Sequence, residues 1–376
     1  MSSSSGESQS SASIALFLPT LTPGGIETCI LNLAKGFVQQ NIAVDLVVAD
    51  YRGDFISKVP DEANVVNLGV DRVLQSIIPL RQYLTSTEPD VLLAGHTHAN
   101  IAAIIAGKTS RTETTIAVGI HNTHSVNTSK SQKFTSKAIQ RLYPRLYSHA
   151  DQVIAVSEGA KQDIVGHTTL GSNDVSVIYN PVVTEEVYIE ASQPVDHRWL
   201  NDASLQVVLG AGRLVEQKDF ATLLYAFEKV AKENNQGRLL IVGTGSKEQE
   251  LRTLLSELDI EDRAELVGYV DNLYGYMDAA DVFVLSSKWE GFGIVLVEAM
   301  AVRTPVVSTD CPHGPSEILK NGEYGKLVPV GDKEAMADGI RKSLRTERKQ
   351  TRIQDRARDF SDSVITKEYA NKLGLE

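Results

Sequence analysis

Short runs of β-branched and aliphatic residues alternate along the chain with longer stretches in which apolar residues recur at helical spacing. That alternation predicts parallel sheets covered by helices, an α/β architecture. In the first half, strands are expected at residues 14–18, 44–48, 91–93, 115–118, 153–156 and 175–178; in the second, at 207–209, 239–242, 265–267, 282–285 and 306–308. Ile26, Cys29, Ile30, Leu33, Ala34 and Phe37 share one helical face, so a helix begins near Gly25. Another begins near Gly293. The dipeptide Asn180-Pro181 and the polar stretch 191–202 mark a crossing between two domains, 13–185 and 203–350. Residues 351–376 return to a helical pattern, placed so that they could pack back on the first domain.

Length agrees with this division, because 376 residues exceed one ordinary core and suit two α/β domains. A composition of 42% hydrophobic and 23% charged residues is that of a globular protein, and no uncharged apolar run is long enough to cross a bilayer. Residues 1–12 are Ser-rich with no basic start and no apolar stretch, which reads as a disordered tail and implies a cytoplasmic protein. Cys29 and Cys311 have no partners at metal-ligand or redox spacing. A net charge of −11 argues against a nucleic-acid partner, which would require a basic surface.

Chemistry concentrates where strands run into helices. Gly24-Gly25 follows the first strand, and two glycines there leave backbone N–H groups open to a phosphate or a close ligand; a turn needed only for packing fits equally well. Gly212-Arg213 and Lys218 follow the first strand of the second half, at the carboxyl end where open α/β sheets bind ligands. Such a cation pair can hold a diphosphate and offset the charge that grows as it leaves. In Ser286-Ser-Lys-Trp-Glu-Gly-Phe-Gly-Ile-Val-Leu-Val-Glu, Glu290 precedes the Gly-Phe-Gly turn and Glu298 lies inside the following helix. Two carboxylates at different heights suit a hexose and a ribose, whose vicinal hydroxyls pair well with them. Exposed N–H groups at Gly293 and Ile294 suit phosphate.

These motifs, together with Gly243-Thr-Gly, resemble family 4 of the retaining GT-B glycosyltransferases, from about Ile14 to the chain end. The resemblance implies two Rossmann-like domains facing each other across a cleft, and transfer of a hexose or N-acetylhexosamine from a nucleotide diphosphate sugar without a metal or other cofactor. It further implies that Arg213 and Lys218 bind the diphosphate, that Glu298 holds the ribose, and that Glu290 contacts the transferred sugar. Gly24 and Gly25 would line donor and acceptor, and the main chain at Tyr269 and Val270 would border the nucleobase. His121, just after the strand at 115–118, matches a family histidine that helps position the transferred sugar; His124 is a rival three residues on.

His96 and His98 are placed at the acceptor mouth, a metal reading being weaker because no third ligand stands at suitable spacing. Where many members carry Gly-Gly-x-Pro-Glu, this chain reads Cys311-Pro-His-Gly-Pro-Ser-Glu, with Glu317 kept. Likeness to bacterial members that use UDP-sugars favours UDP over GDP. The rival readings are a UDP-sugar 2-epimerase of the same fold and a nucleotide-sugar-binding protein without catalysis. Finally, Lys130, Lys133, Lys137, Arg141 and Arg145 form a basic stretch without acidic residues, interleaved with Phe134, Ile139, Leu142, Tyr143 and Leu146. It suits an anionic membrane surface that would present a lipid-linked acceptor, or an ordinary solvated helix face.

Overall fold

The computed structural model describes residues 12–121, 145–346 and 351–376. The chain forms two compact units: one comprises residues up to Ala155, Lys161–Ile178 and Ile365–Glu376, the other Val156–Ala160 and Tyr179–Val364. The first unit holds a 7-stranded parallel sheet of β1 (Ser13–Leu18), β2 (Ala43–Val48), β3 (Asn64–Asn67), β4 (Val91–Ala94), β5 (Thr115–Ile120), β6 (Gln152–Ala155) and β7 (Val175–Val177), in the order β3-β2-β1-β4-β5-β6-β7. The second holds a 6-stranded parallel sheet of β8 (Gln206–Ala211), β9 (Gly237–Val242), β10 (Ala264–Gly268), β11 (Val282–Leu285), β12 (Val306–Thr309) and β13 (Lys326–Val328), in the order β10-β9-β8-β11-β12-β13. In each sheet the order reverses beside its first strand, at β1/β4 and at β8/β11. Such switch points open a crevice at the carboxyl ends.

All the expected strands are present. The two that the hydrophobic pattern did not announce, β3 and β13, are edge strands whose residues are mostly half-buried or exposed, so they lack an apolar run. In the second unit, Val207, Leu209, Leu240, Val242, Phe283 and Leu285 face one apolar cluster, while Val208, Leu239, Ile241, Val282 and Val284 face another. Alternate residues of each strand thus point to opposite faces, and helices cover both.

The helix Gly25–Gln39 begins where its pattern indicates and buries Cys29, Ile30, Leu33, Ala34 and Phe37. Polar residues 191–202 lie within the second unit, to which the chain returns at Tyr179. Trp199, buried in that unit's core, anchors this otherwise hydrophilic segment, and Val187 in the helix just before it is buried in the same core. The last residues, Ile365–Glu376, are part of the first unit, where Tyr369 is buried and Thr366 sits against Gly36 so closely that a Cβ there would stand 2.3 Å from its Oγ1.

No helix among the described residues is long and apolar enough to cross a membrane. Of the basic stretch, Lys130, Lys133, Lys137 and Arg141 lie outside the described residues, as does His124; Arg145 is within them.

Candidate functional site

In the second unit the loops after β8 and β11, neighbours at the switch point, are sewn together. Ser286 Oγ donates to the carbonyl of Lys218 at 2.7 Å, the N–H of Lys288 to that of Gln217 at 2.8 Å, and Gln217 Nε2 to that of Trp289 at 3.0 Å. Their side chains meet as well. Lys218 Nζ lies 2.6 Å from Glu290 Oε1, the two side chains being 14% and 8% exposed, and Ser287 Oγ donates to the same oxygen at 2.6 Å. The N–H of Glu290 is held by the carbonyl of Pro312 at 3.2 Å. An ammonium and a carboxylate with so little water around them attract strongly, and neither can lose the other without a large desolvation penalty.

Glycines let the backbone close around this pair. Gly212, at φ +147°, clears room for the Lys218 stem, since a Cβ there would stand 3.2 Å from Lys218 Cε. Gly243, at φ +132°, approaches so closely that its Cβ would fall 2.0 Å from the Gly212 carbonyl oxygen. The N–H of Gly243 donates to Gly268 and that of Gly212 to Val242, so the loops after β8, β9 and β10 form one backbone platform. Arg213 is exposed on it and makes no ion pair among the described residues. Tyr269, just past β10, is 73% exposed, beside half-buried Val270.

Gly293 adopts φ +101° as the cap of the helix Ile294–Ala301. A first helical turn has no internal partners for its N–H groups, so Ile294 starts with an open donor end. Within that helix Glu298 is 8% exposed, and Tyr274 Oη donates to its Oε1 at 3.2 Å. The Glu298 charge, followed by burial, raises the Tyr274 hydroxyl well above its ordinary pKa, which keeps it a donor. Glu317 serves differently: its carboxylate accepts the N–H groups of Glu158 and Gly159 at 2.9 and 3.0 Å, capping the start of a helix.

Cys311 sits close enough to the pair to feel it. Burial, and then the Glu290 charge, push its thiol up to about 12. A thiol that stays protonated is unreactive. With Cys29 buried too, a thiol reagent at pH 8 is expected to label no cysteine in the native protein and both once it is unfolded; rapid native labelling would contradict this burial. The Cys311 thiol thus holds its proton more tightly in the folded protein than in the unfolded chain. Cys311 favours the folded state fully below pH 9 and loses that contribution as pH rises toward about 12.

The first unit gathers a second group at its own switch point. Gly24 caps the helix Gly25–Gln39, and Glu27 in its first turn is buried, with Oε1 3.0 Å from His96 Nε2. His98, two residues on, is exposed, so the two histidines are turned to different surroundings. His121 lies over Gly119 and Gly95, whose Cβ atoms would stand 2.8 and 3.1 Å from its Nε2. Among the described residues no three metal-ligating side chains converge.

The sequence had marked Arg213, Lys218, Glu290 and Glu298; direct contact is found between Lys218 and Glu290. It did not mark Ser287, Tyr274 or Glu27, whose importance lies in what they touch. Only Glu27, next to Gly-Gly-Ile, carried a local signal.

Comparison with known proteins bears on the same halves of the chain. The family model described as Glycosyltransferase Family 4 matches residues 23–186, and that described as Glycosyl transferases group 1 matches residues 196–360. The lipopolysaccharide core biosynthesis glycosyltransferase LpsE of Rhizobium meliloti is 27% identical over 368 residues, covering 93% of this chain and 96% of that protein. The lipopolysaccharide 1,6-galactosyltransferase of Salmonella typhimurium is 25% identical over 320 residues, 82% of each. Among solved structures, Anabaena HepE in complex with UDP superposes with a TM-score of 0.77 at 22% identity, covering 97% of this chain and all of that one.

Proposed function

The chain belongs to glycosyltransferase family 4 and has its two-unit α/β GT-B architecture, and from that premise we propose a retaining, metal-independent transferase that moves a hexose or N-acetylhexosamine from a UDP-sugar to a glycan or lipid-linked acceptor. The observation that carries this reading is the buried Lys218–Glu290 pair, fixed by Ser287 at the switch point of the second sheet. Lys218 comes from the same loop as exposed Arg213. Together they place positive charge where a diphosphate leaves, the work that Mg²⁺ performs in other transferases. Glu290, held rigid by three partners, orients the sugar, and Glu298, steadied by Tyr274, takes the ribose hydroxyls. A leaving phosphate oxygen takes the acceptor's proton, so the protein supplies no strong base. Departure and attack on one face retain the anomeric configuration.

UDP is favoured by its presence in the HepE structure, and cell-surface polysaccharide synthesis by the names of LpsE and the Salmonella enzyme. Peripheral attachment to the inner face of the membrane through Lys130–Arg145 would bring a lipid-linked acceptor within reach. The deciding experiment follows UDP and GDP release from a panel of nucleotide sugars, with and without lipid extract, in buffer containing EDTA. UDP release stimulated by the extract and indifferent to EDTA is expected, with an axial product linkage from an axial donor. Release only of GDP, loss of activity in EDTA, or an inverted product would each overturn the corresponding part.

A further inference from the structure

Glu27 is a buried carboxylate that the transfer chemistry above leaves without a role. It is 7% exposed at the positive end of the helix Gly25–Gln39, and its Oε2 stands 2.3 Å from where a Gly24 Cβ would be, so it folds back over that glycine. A side chain at position 24 would push this carboxylate aside. Its other oxygen meets His96 Nε2 at 3.0 Å. A carboxylate can only accept a hydrogen bond, so Nε2 must carry the proton. His96 itself precedes the helix Thr97–Ser110, yet its ring makes no cap hydrogen bond, and Nδ1 has no partner among the described residues. The ring remains 27% exposed. Three adjacent strand ends, β1, β4 and β5, thus deliver Glu27, His96 and His121 to the mouth of one switch point, and Gly24, Gly95 and Gly119 clear the backbone beneath them.

We infer that Glu27 is a positioning residue that locks His96 in its Nε2-protonated form, so that Nδ1 accepts a hydrogen bond from a hydroxyl of the sugar acceptor. The neighbouring negative charge disfavours a phosphate at this point and favours a neutral, hydroxyl-bearing ligand. An orienting carboxylate behind an imidazole fixes both tautomer and ring direction, which a solvated histidine lacks. The inference rests on the reading that the first unit receives the acceptor.

The test uses the full chain with ¹⁵N-labelled histidine, His96→Asn identifying the His96 signals among the eight histidines. Wild type is expected to show His96 protonated at Nε2 alone, Glu27→Ala a mixture of tautomers, and Glu27→Gln the wild-type form, because the amide oxygen still accepts. In transfer from UDP-glucose to octyl β-D-glucopyranoside, Glu27→Ala should raise the glycoside KM about tenfold with a smaller fall in kcat, and Glu27→Gln should restore most of it. An unchanged tautomer in Glu27→Ala, or a fall in kcat at constant KM, overturns the inference. Stabilisation of the same proteins by UDP reports on the second unit alone. A wild type that UDP does not stabilise would sink the donor reading while leaving the tautomer result standing, so the two failures are distinguishable.

Discussion

Lys218→Ala is expected to lower transfer by roughly 10²–10³-fold, the usual cost of losing one charge-stabilising group, and to weaken stabilisation by UDP. It should also soften the fold. Glu290 would keep Ser287 as a partner but lose its counter-charge while its side chain is only 8% exposed, and breaking a buried pair from one side costs about 3–5 kcal/mol. Glu290→Gln separates the two effects. Its amide oxygen can still accept from Ser287 and Lys218, so stability should fall less, while the interaction with the sugar loses its charge and the rate falls by a comparable factor of roughly 10². Initial rates with saturating donor, alongside melting curves with and without UDP, measure both. Wild-type rates in either variant would remove the pair from the mechanism.

Gly243→Ala is expected to damage the second unit more than any conservative surface change could. The residue sits at φ +132°, and the added Cβ would fall 2.0 Å from the Gly212 carbonyl oxygen, which no side-chain rotation relieves. Backbone strain of about 1–3 kcal/mol adds to overpacking of similar size, so a loss of roughly 3–5 kcal/mol is anticipated. For a unit of this size, that corresponds to a fall in Tm of about 10 °C. Because Gly212 opens the loop that carries Arg213 and Lys218, any folded fraction should also bind UDP poorly. Thermal unfolding followed by a UDP titration tests this, and a variant melting within two or three degrees of wild type would refute the close approach.

Much of this was legible without coordinates, for reasons that differ by residue. Strands such as β8 and β11 announced themselves because helices cover both faces, so nearly every position is apolar. β3 and β13 did not, because an edge strand with half-exposed residues needs no such run. Glu290 and Glu298 were visible through their spacing around Gly-Phe-Gly. Ser287 and Tyr274 were not, since nothing about a serine or a tyrosine in sequence says which carboxylate it will touch. Trp199 likewise anchors a segment whose polar neighbours suggested a crossing between domains.

The amino-acid order alone determined the α/β class, the strand-to-turn-to-helix units and the residue types placed at each turn, because periodicity and glycine chemistry act over a few neighbouring residues. Tertiary structure decided what those turns do to one another: that Lys218 meets Glu290 across 72 positions, that Glu27 turns to His96, and that Cys311 is sealed beside the pair. Such contacts depend on which strands lie adjacent in a sheet, and adjacency between distant segments is set by the packing of the whole unit.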